Sequence, residues 1–413
     1  MYVYKKYNCM KSGYISLIIE LVICFLVGIT WTSCQKTDHE DVVQLKVINK
    51  NAPIEVELYD LVDSIQYTAL ETSDSCLLGE IINVKKVDGY YFVRDNFGLY
   101  AFDENGKFVN KVSQKGNGQK EYVQLDNFYI DEERKLVGLI CNVSKKIMFF
   151  TYDGMYHSTV YMKEKDCGIS SMMQSPHQEL LACYPMPNNF NNVPFEYKRI
   201  RIRHDSLVAD PLVPMKDLTT KDIYYAFFSH PMALYKDTCL LLSVLSHNIY
   251  AVQDGKINRT YQYDLFKALP DEKELERYKG ENFYDQKEKI KSSGKSIGLT
   301  GIQTNGDYVF ISVNDEDILI WDGKQSVLIQ KVYDSRLDHY FYNIVLSGGC
   351  ADENIGFYTA DFLCQLKGSL LPRNDALRQI VDTVEEDDNP VLYQFVFKKN
   401  LVNQLIEKYK LSL

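Results

Sequence analysis

Four short polar segments hold the side chains that could do chemistry: Asp95–Asn96, Asn142, Ser246–His247 and Asn314–Asp315. Each separates two apolar runs, at the same place in what reads as one repeated unit. Carboxylate and amide oxygens are hard donors that suit calcium, and an imidazole beside them can carry a proton. Brought to one point, Asp95, Asn96, Asn142, His247, Asn314 and Asp315 would form a ligand site. With calcium they would form the centre of a metal-dependent hydrolase or lyase. Held apart, they would serve as turn formers, because Asn and Asp hydrogen-bond the backbone of tight turns.

Signatures of other chemistries are missing. The sequence holds no HExxH. Gly294–Lys295–Ser296 imitates the end of a phosphate-binding loop, but position 289 is Lys where that loop needs Gly. Gly116–Asn117–Gly118 lacks a third glycine. The acidic runs Asn314–Asp317 and Glu385–Asp388 lack the alternating spacing of a calcium loop and read as solvated turns. The seven histidines (39, 157, 177, 204, 230, 247 and 339) are scattered, and no Cys/His spacing fits zinc. No catalytic residue, resident metal or cofactor is therefore expected, calcium at the polar turns being the one exception.

The elements that would position these turns repeat. An apolar strand, a short polar turn, a second strand and an Asp/Gly or Asn/Gly turn run through Gly89–Gly106, Lys135–Gly154, Thr238–Gly255 and Asp307–Gly323. Tyr197–Ser206 is a weaker copy and sets the spacing near fifty residues. Asp-Gly and Asn-Gly supply the positive φ that tight hairpins require. Short strands at this period point to β-propeller blades, which bury both faces only by closing a ring. The longer interval before Gly323 holds Pro270–Ile290, which is densely charged and reads as a helical insertion. A degenerate sixth unit follows, with Ile355–Gln365 as a hairpin and Val391–Lys398 as a last strand. Between them Leu377, Ile380, Val381 and Val384 trace a helical stripe behind Asn374 as N-cap. The early strand Ser64–Leu70 is placed to complete that last unit. The expected fold is all-β, a six-bladed β-propeller with small helical insertions; seven blades is the alternative. Its boundaries are 61–398, with a short helical tail over 399–413. On such a ring the loops around 115–122, 163–168 and 264–298 share a face with the polar turns, as binding loops do.

The N-terminus reads as an address. Lys5, Lys6 and Lys11 precede the apolar stretch Tyr14–Trp31, whose strongest part, Leu21–Ile29, is too short to span a hydrocarbon core of ~30 Å. That pattern describes a secretory leader over 1–33, a transmembrane anchor being the alternative. Trp31–Thr32–Ser33–Cys34 resembles a bacterial lipobox, although Trp31 departs from the usual aliphatic residue. Cys34 would then carry the lipid, with 34–60 as a tether leading into the fold. Seven cysteines remain beyond it, an odd number that argues against a complete disulfide framework. The chain has 46 Lys and Arg against 56 Asp and Glu, a net charge of −10. An acidic balance excludes the basic footprint that a nucleic-acid binder needs. Tyrosine is abundant, at 31 residues, which suits half-buried strands or platforms for sugar rings.

Four segments carry a family resemblance: Tyr67–Thr72, Leu99–Phe108, Lys115–Tyr122 and Asp388–Phe395. In these the sequence resembles the six-bladed β-propeller lipoproteins of gut Bacteroides, whose domain has no assigned function. The resemblance spans about 64–398 and departs at Gln119–Lys120, where Pro-Gly is usual. The stretch Gln35–Asp41 also looks like the lysine-plus-acid signal that takes Bacteroidetes lipoproteins to the cell surface. The resemblance implies a fold and a lipid-anchored place at the outer membrane, periplasmic or surface-exposed, and no reaction. The combined expectation is a monomeric, non-catalytic binding module held to the membrane by its anchor. Its partner would be a glycan, a peptide or an outer-membrane protein.

Overall fold

Short apolar runs punctuated by tight turns fold as antiparallel strands, and the chain is mostly β. The computed structural model describes residues 41–176, 179–184, 195–214, 230–278, 280–341, 354–368 and 375–411. The leader, Cys34, His39, His177, Cys350 and Asn374 lie outside the described residues. The chain begins with β1 (Asp41–Leu45), β2 (Val47–Ile48), β3 (Ile54–Glu57) and β4 (Val62–Ala69). The first sheet follows as a meander of β5 (Ile81–Val87), β6 (Tyr90–Asp95), β7 (Leu99–Asp103) and β8 (Phe108–Lys111). A second comprises β9 (Asn127–Asp131), β10 (Leu136–Cys141), β11 (Lys146–Thr151) and β12 (Tyr156–Tyr161). The third comprises β13 (Ser171–Gln174), β14 (Leu180–Cys183), β15 (Phe195–Arg203) and β16 (Ser206–Pro214). One parallel bridge, Tyr161 to Ser206, joins it to the second.

The fourth sheet is β17 (Met232–Tyr235), β18 (Thr238–Leu242), β19 (Asn248–Gln253) and β20 (Lys256–Tyr263), with β1 added at its outer edge. The fifth is β21 (Leu299–Thr304), β22 (Val309–Val313), β23 (Asp317–Trp321) and β24 (Ser326–Asp334). β2 and β3 lie parallel to β24, and β25 (His339–Phe341) pairs with it antiparallel. In the last sheet β26 (Ile355–Tyr358) pairs with β27 (Val391–Phe397), and β27 with β4. The expected strand at Ser64–Leu70 therefore does complete the final unit, in the register Val391 to Ala69 through Phe397 to Val62.

Both faces of each sheet must be covered, and successive sheets cover one another. Phe92 and Leu99 of the first pack with Phe128 and Leu139 of the second. Tyr129 and Phe149 of the second meet Met172 and Ile200 of the third. The third meets the fourth through Leu181, Tyr197 and Leu241, and the fourth meets the fifth through Leu240, Ile302 and Trp321. Phe310 and Ile320 of the fifth pack with Tyr393 and Phe397 of the last. Ile355 and Leu392 of the last then pack with Val84 and Tyr91 of the first, which returns the series to its start.

Several tyrosines are buried more deeply than a half-buried strand residue. Tyr129, Tyr184, Tyr197 and Tyr263 are among the largest fully buried side chains. The Tyr197 hydroxyl crosses to the fourth sheet and lies within hydrogen-bond distance of the carbonyls of Leu242 (2.5 Å) and Pro231 (3.0 Å). A buried phenol needs such a partner, and here the partner belongs to the next sheet.

Two sequence expectations need correction. Ile355–Gln365 is not a hairpin: after β26 the chain turns into a helix, Ala360–Gln365, capped by Thr359 and burying Ala360 and Leu363. The periodic stripe does form a helix, Ala376–Thr383, but its N-cap is Asp375, whose side chain accepts from Leu377 N–H at 2.9 Å. The charged insertion folds as two helices, Glu272–Glu276 and Phe283–Ser292. The tail forms a third, Leu401–Tyr409, with Leu401, Val402 and Leu405 buried.

The closing glycines of the repeats lie against the preceding sheet. Gly106 has φ +78°, and a Cβ there would stand 2.1 Å from the Ala69 carbonyl oxygen of β4. Gly294 has φ +79° with open space around it. Gly106→Ala is therefore expected to cost about 3 kcal/mol, from a backbone clash added to left-handed strain. Gly294→Ala should cost only about 1 kcal/mol. Urea unfolding of the two variants measures the difference.

Candidate functional site

Each polar turn spends its side chain on a neighbouring loop. The Asp95 carboxylate is buried and accepts three backbone N–H groups, from Gly79 (2.7 Å), Phe97 (2.8 Å) and Gly98 (2.7 Å). Asn96 beside it is exposed. Asn142 Oδ1 accepts from Gly168 N–H (2.8 Å) and Ile169 N–H (3.0 Å), and its Nδ2 donates to Ile169 O (2.9 Å). That loop leads into the third sheet, so Asn142 of the second sheet fixes the start of the next. Asn389, which the sequence did not single out, does the same between the last sheet and the first. It accepts from Leu78 N–H (2.8 Å) and donates to Glu71 O (2.6 Å) and Cys76 O (2.8 Å).

His247 and Asn314 are brought together by Ser296. His247 Nε2 lies 3.0 Å from Ser296 Oγ, which donates to Asn314 Oδ1 at 2.8 Å. Gly298 N–H also donates to Oγ (2.9 Å), and Ile297 N–H to Asn314 Oδ1 (2.9 Å). A serine hydroxyl has one proton, and here it goes to Asn314, so His247 must supply the proton of its own bond. Ser296 is fully buried. Histidine, serine and asparagine together tie the turns of the fourth and fifth sheets to one loop.

Asp315 is ion-paired with Lys287, and Glu316 with Lys291 at 2.5 Å. Both lysines come from the inserted helix Phe283–Ser292. The run 314–317 is thus not the solvated turn expected: Asn314 is 2% exposed and Asp317 is 4% exposed. Burial, the largest influence, pushes the Asp317 carboxyl up to about 6; Glu316 adds to this and Lys267 and Lys291 offset part of it. The turn carrying Asp95–Asn96, the Asn142 turn and the His247–Asn314 cluster belong to different sheets. Among the described residues no group of three or more His, Cys, Asp or Glu side chains could hold a metal ion. Burial also pushes the thiols of Cys141, Cys183 and Cys239 up to about 12, out of nucleophilic range.

A concave site forms at the other end of the first strands. A cavity of 790 Å³ is bounded by the ends of β5, β9, β13, β17 and β21 and by the hairpins that follow. Ile130, Met173 and Leu234 give it aliphatic, half-buried walls. Lys85, Glu132, Glu133, Lys236 and Asp237 bring charges of both signs to its margin. The signal for it was present in the sequence. Asp88, Glu132–Glu133 and Lys236–Asp237 lie at the hairpin between the first and second strand of the first, second and fourth sheets, one turn away from the positions chosen.

Residues 40–395 match the family described as a domain of unknown function, DUF4934. The chain belongs to that family. This DUF4934 chain is similar in fold to a Bacteroides fragilis protein described as exported. The two share 17% identity and a TM-score of 0.66, over 87% of this chain and 100% of the other. A member of the DUF4221 family from Bacteroides vulgatus aligns at 8% identity and a TM-score of 0.47, over 82% of this chain and 97% of its own. No curated protein matches the DUF4934 chain. Among its described residues no helix is long and apolar enough to cross a membrane.

The clamps of the DUF4934 fold can be tested by removal. Asn142→Ala strands two N–H groups and a carbonyl at Gly168–Ile169, and a loss of about 2–4 kcal/mol in urea unfolding is expected. Asn142→Asp keeps the acceptor and should lose less. Asp317 gives a pH dependence. Its folded value, about 6, lies above the ordinary 3.8. The stability it contributes is complete below about pH 4 and is lost as pH rises through 6. Asp317→Asn should abolish that slope and be the more stable protein at about pH 8, by on the order of 2 kcal/mol. Unfolding series across this range read both effects.

Proposed function

We propose that this chain is a six-bladed β-propeller of the cell envelope, lipid-anchored through Cys34, that binds a polypeptide segment at its channel mouth without turning it over. The blade count is supported by six inter-sheet cores in succession, the last joining the sixth sheet to the first. The envelope address is supported by the leader-like N-terminus and by the exported relative of Bacteroides fragilis.

The observation that carries the binding site is the cavity where five first strands end together. Its volume suits a ligand site. Aliphatic walls with a margin of both charge signs match a peptide, whose apolar side chains need burial and whose charges need partners. Sugar rings are held largely by aromatic stacking, and among the described residues no aromatic side chain lines the cavity. The cavity therefore favours a peptide over a glycan. The module needs no cofactor and acts as a monomer.

Thermal melting of the full chain against a mixed peptide library, a panel of glycans, calcium and a chelator tests this. A ligand at a hundred times its dissociation constant adds ~2.7 kcal/mol if it binds only the folded state. Stabilisation by peptides that Met173→Glu and Lys236→Glu abolish is the expected result. Stabilisation by glycans alone would replace the peptide. A calcium-dependent shift would favour a metal-dependent hydrolase or lyase and overturn the non-catalytic reading.

A further inference from the structure

The core between the fifth and last sheets is built differently from the others. The helices Leu58–Leu61, Ala360–Gln365, Ala376–Thr383 and Leu401–Tyr409 each supply part of it, through Leu58, Leu61, Leu363, Leu377, Val381 and Leu405. Among the described residues, no other inter-sheet core takes a helical side chain. Strands are placed against one another by a ladder of backbone bonds. A helix satisfies its own backbone and offers its neighbours only side chains. Helices drawn from distant parts of the chain therefore need side-chain ties to hold their places.

One side chain makes several of these ties. Arg336, on the turn between β24 and β25, donates to the fully buried Asp334 through Nε (3.1 Å) and Nη2 (2.7 Å). Its Nη1 donates to Asp375 Oδ2 at 2.6 Å, and the other oxygen of Asp375 caps the helix Ala376–Thr383. The guanidinium also lies over the ring of Tyr59, 4.6 Å from its centre, in the helix that leads into β4. Ser335 beside it adds a second grip, its N–H and its hydroxyl each donating to Glu57 Oε1 at 3.1 Å. One turn of the fifth sheet thus holds both the entry to β4 and the start of the last sheet's inserted helix. A planar fork makes these contacts at angles that an ammonium cannot reproduce.

We infer that Arg336 is the lock of the seam between the fifth and last sheets, and that releasing it lets β4 and the helix Ala376–Thr383 open while the second and third sheets stay folded. Loss of the guanidinium leaves Asp334 buried without its cation, a cost that falls on the seam. The core between the second and third sheets shares no residue with the core of the seam. Parts of a protein that share few buried contacts open separately.

Amide hydrogen exchange of the full chain, read peptide by peptide in a mass spectrometer, tests this. Arg336→Lys keeps the charge and loses the fork. Asp375→Asn keeps an acceptor for the helix cap and loses the ion pair, so it carries the test should Arg336→Lys fail to fold. Each variant should exchange about tenfold faster than the wild type, or more, over 62–69, 376–383 and 391–397. The strands at 136–151 and 180–183 should keep their wild-type rates. Arg134→Ala removes an arginine from a buried aspartate of the second sheet, Asp131 at 2.6 Å, and should leave the seam as protected as before. Wild-type rates at the seam in Arg336→Lys and Asp375→Asn overturn the inference. So does faster exchange spread evenly over every sheet, which would make Arg336 a contributor to overall stability and no lock.

Discussion

The pairing of β4 with β27 is the constraint on which the rest depends. It joins a strand near the start of the fold to one near its end, over the register Ala69 to Val391 through Val62 to Phe397. Closing so long a segment costs chain entropy before any contact repays it. The repayment comes from two cores at once. Val62 and Phe397 lie in the core shared with the fifth sheet, and Leu392 in the core shared with the first. Without this pair, one face of the first sheet and one of the fifth would have no cover, and β27 would be left with an unpaired edge.

The polar residues of the turns belong to the same problem. A loop passing from one sheet to the next must satisfy its buried N–H and C=O groups without a strand partner. Asp95, Asn142, Asn314 and Asn389 do this with side chains that mimic backbone. Their recurrence at one position of the repeat therefore follows from how sheets are joined. Such positions look alike in sequence whether they bind ligands or brace loops, because both roles call for short carboxylates and amides.

Much of the architecture was legible because it rests on local rules. The pattern of apolar runs and Asp-Gly turns gave the second and third strands at 90–103, 136–151, 238–253 and 309–321. The closing strand β4 was legible too, as an early strand placed to complete the last unit. The hairpin expected at Ile355–Gln365 failed because Ala360–Gln365 is short and apolar, and periodicity does not separate strand from helix over such a span. The pairing of Asp315 and Glu316 was hidden because the helix that supplies their lysines, Phe283–Ser292, is an insertion whose direction no repeat reveals. The cavity was missed because its charges sit at ordinary hairpins, where solvation explains them equally well.

The first strands of the chain have one further consequence, in the order of events. β1, β2 and β3 lie outside β20 and β24, strands made some two hundred or more residues later. Made ahead of the rest of the fold, they have no surface to settle on until most of the protein has followed. This stretch is thus made before the rest of the fold and is among the last parts of it to find its place.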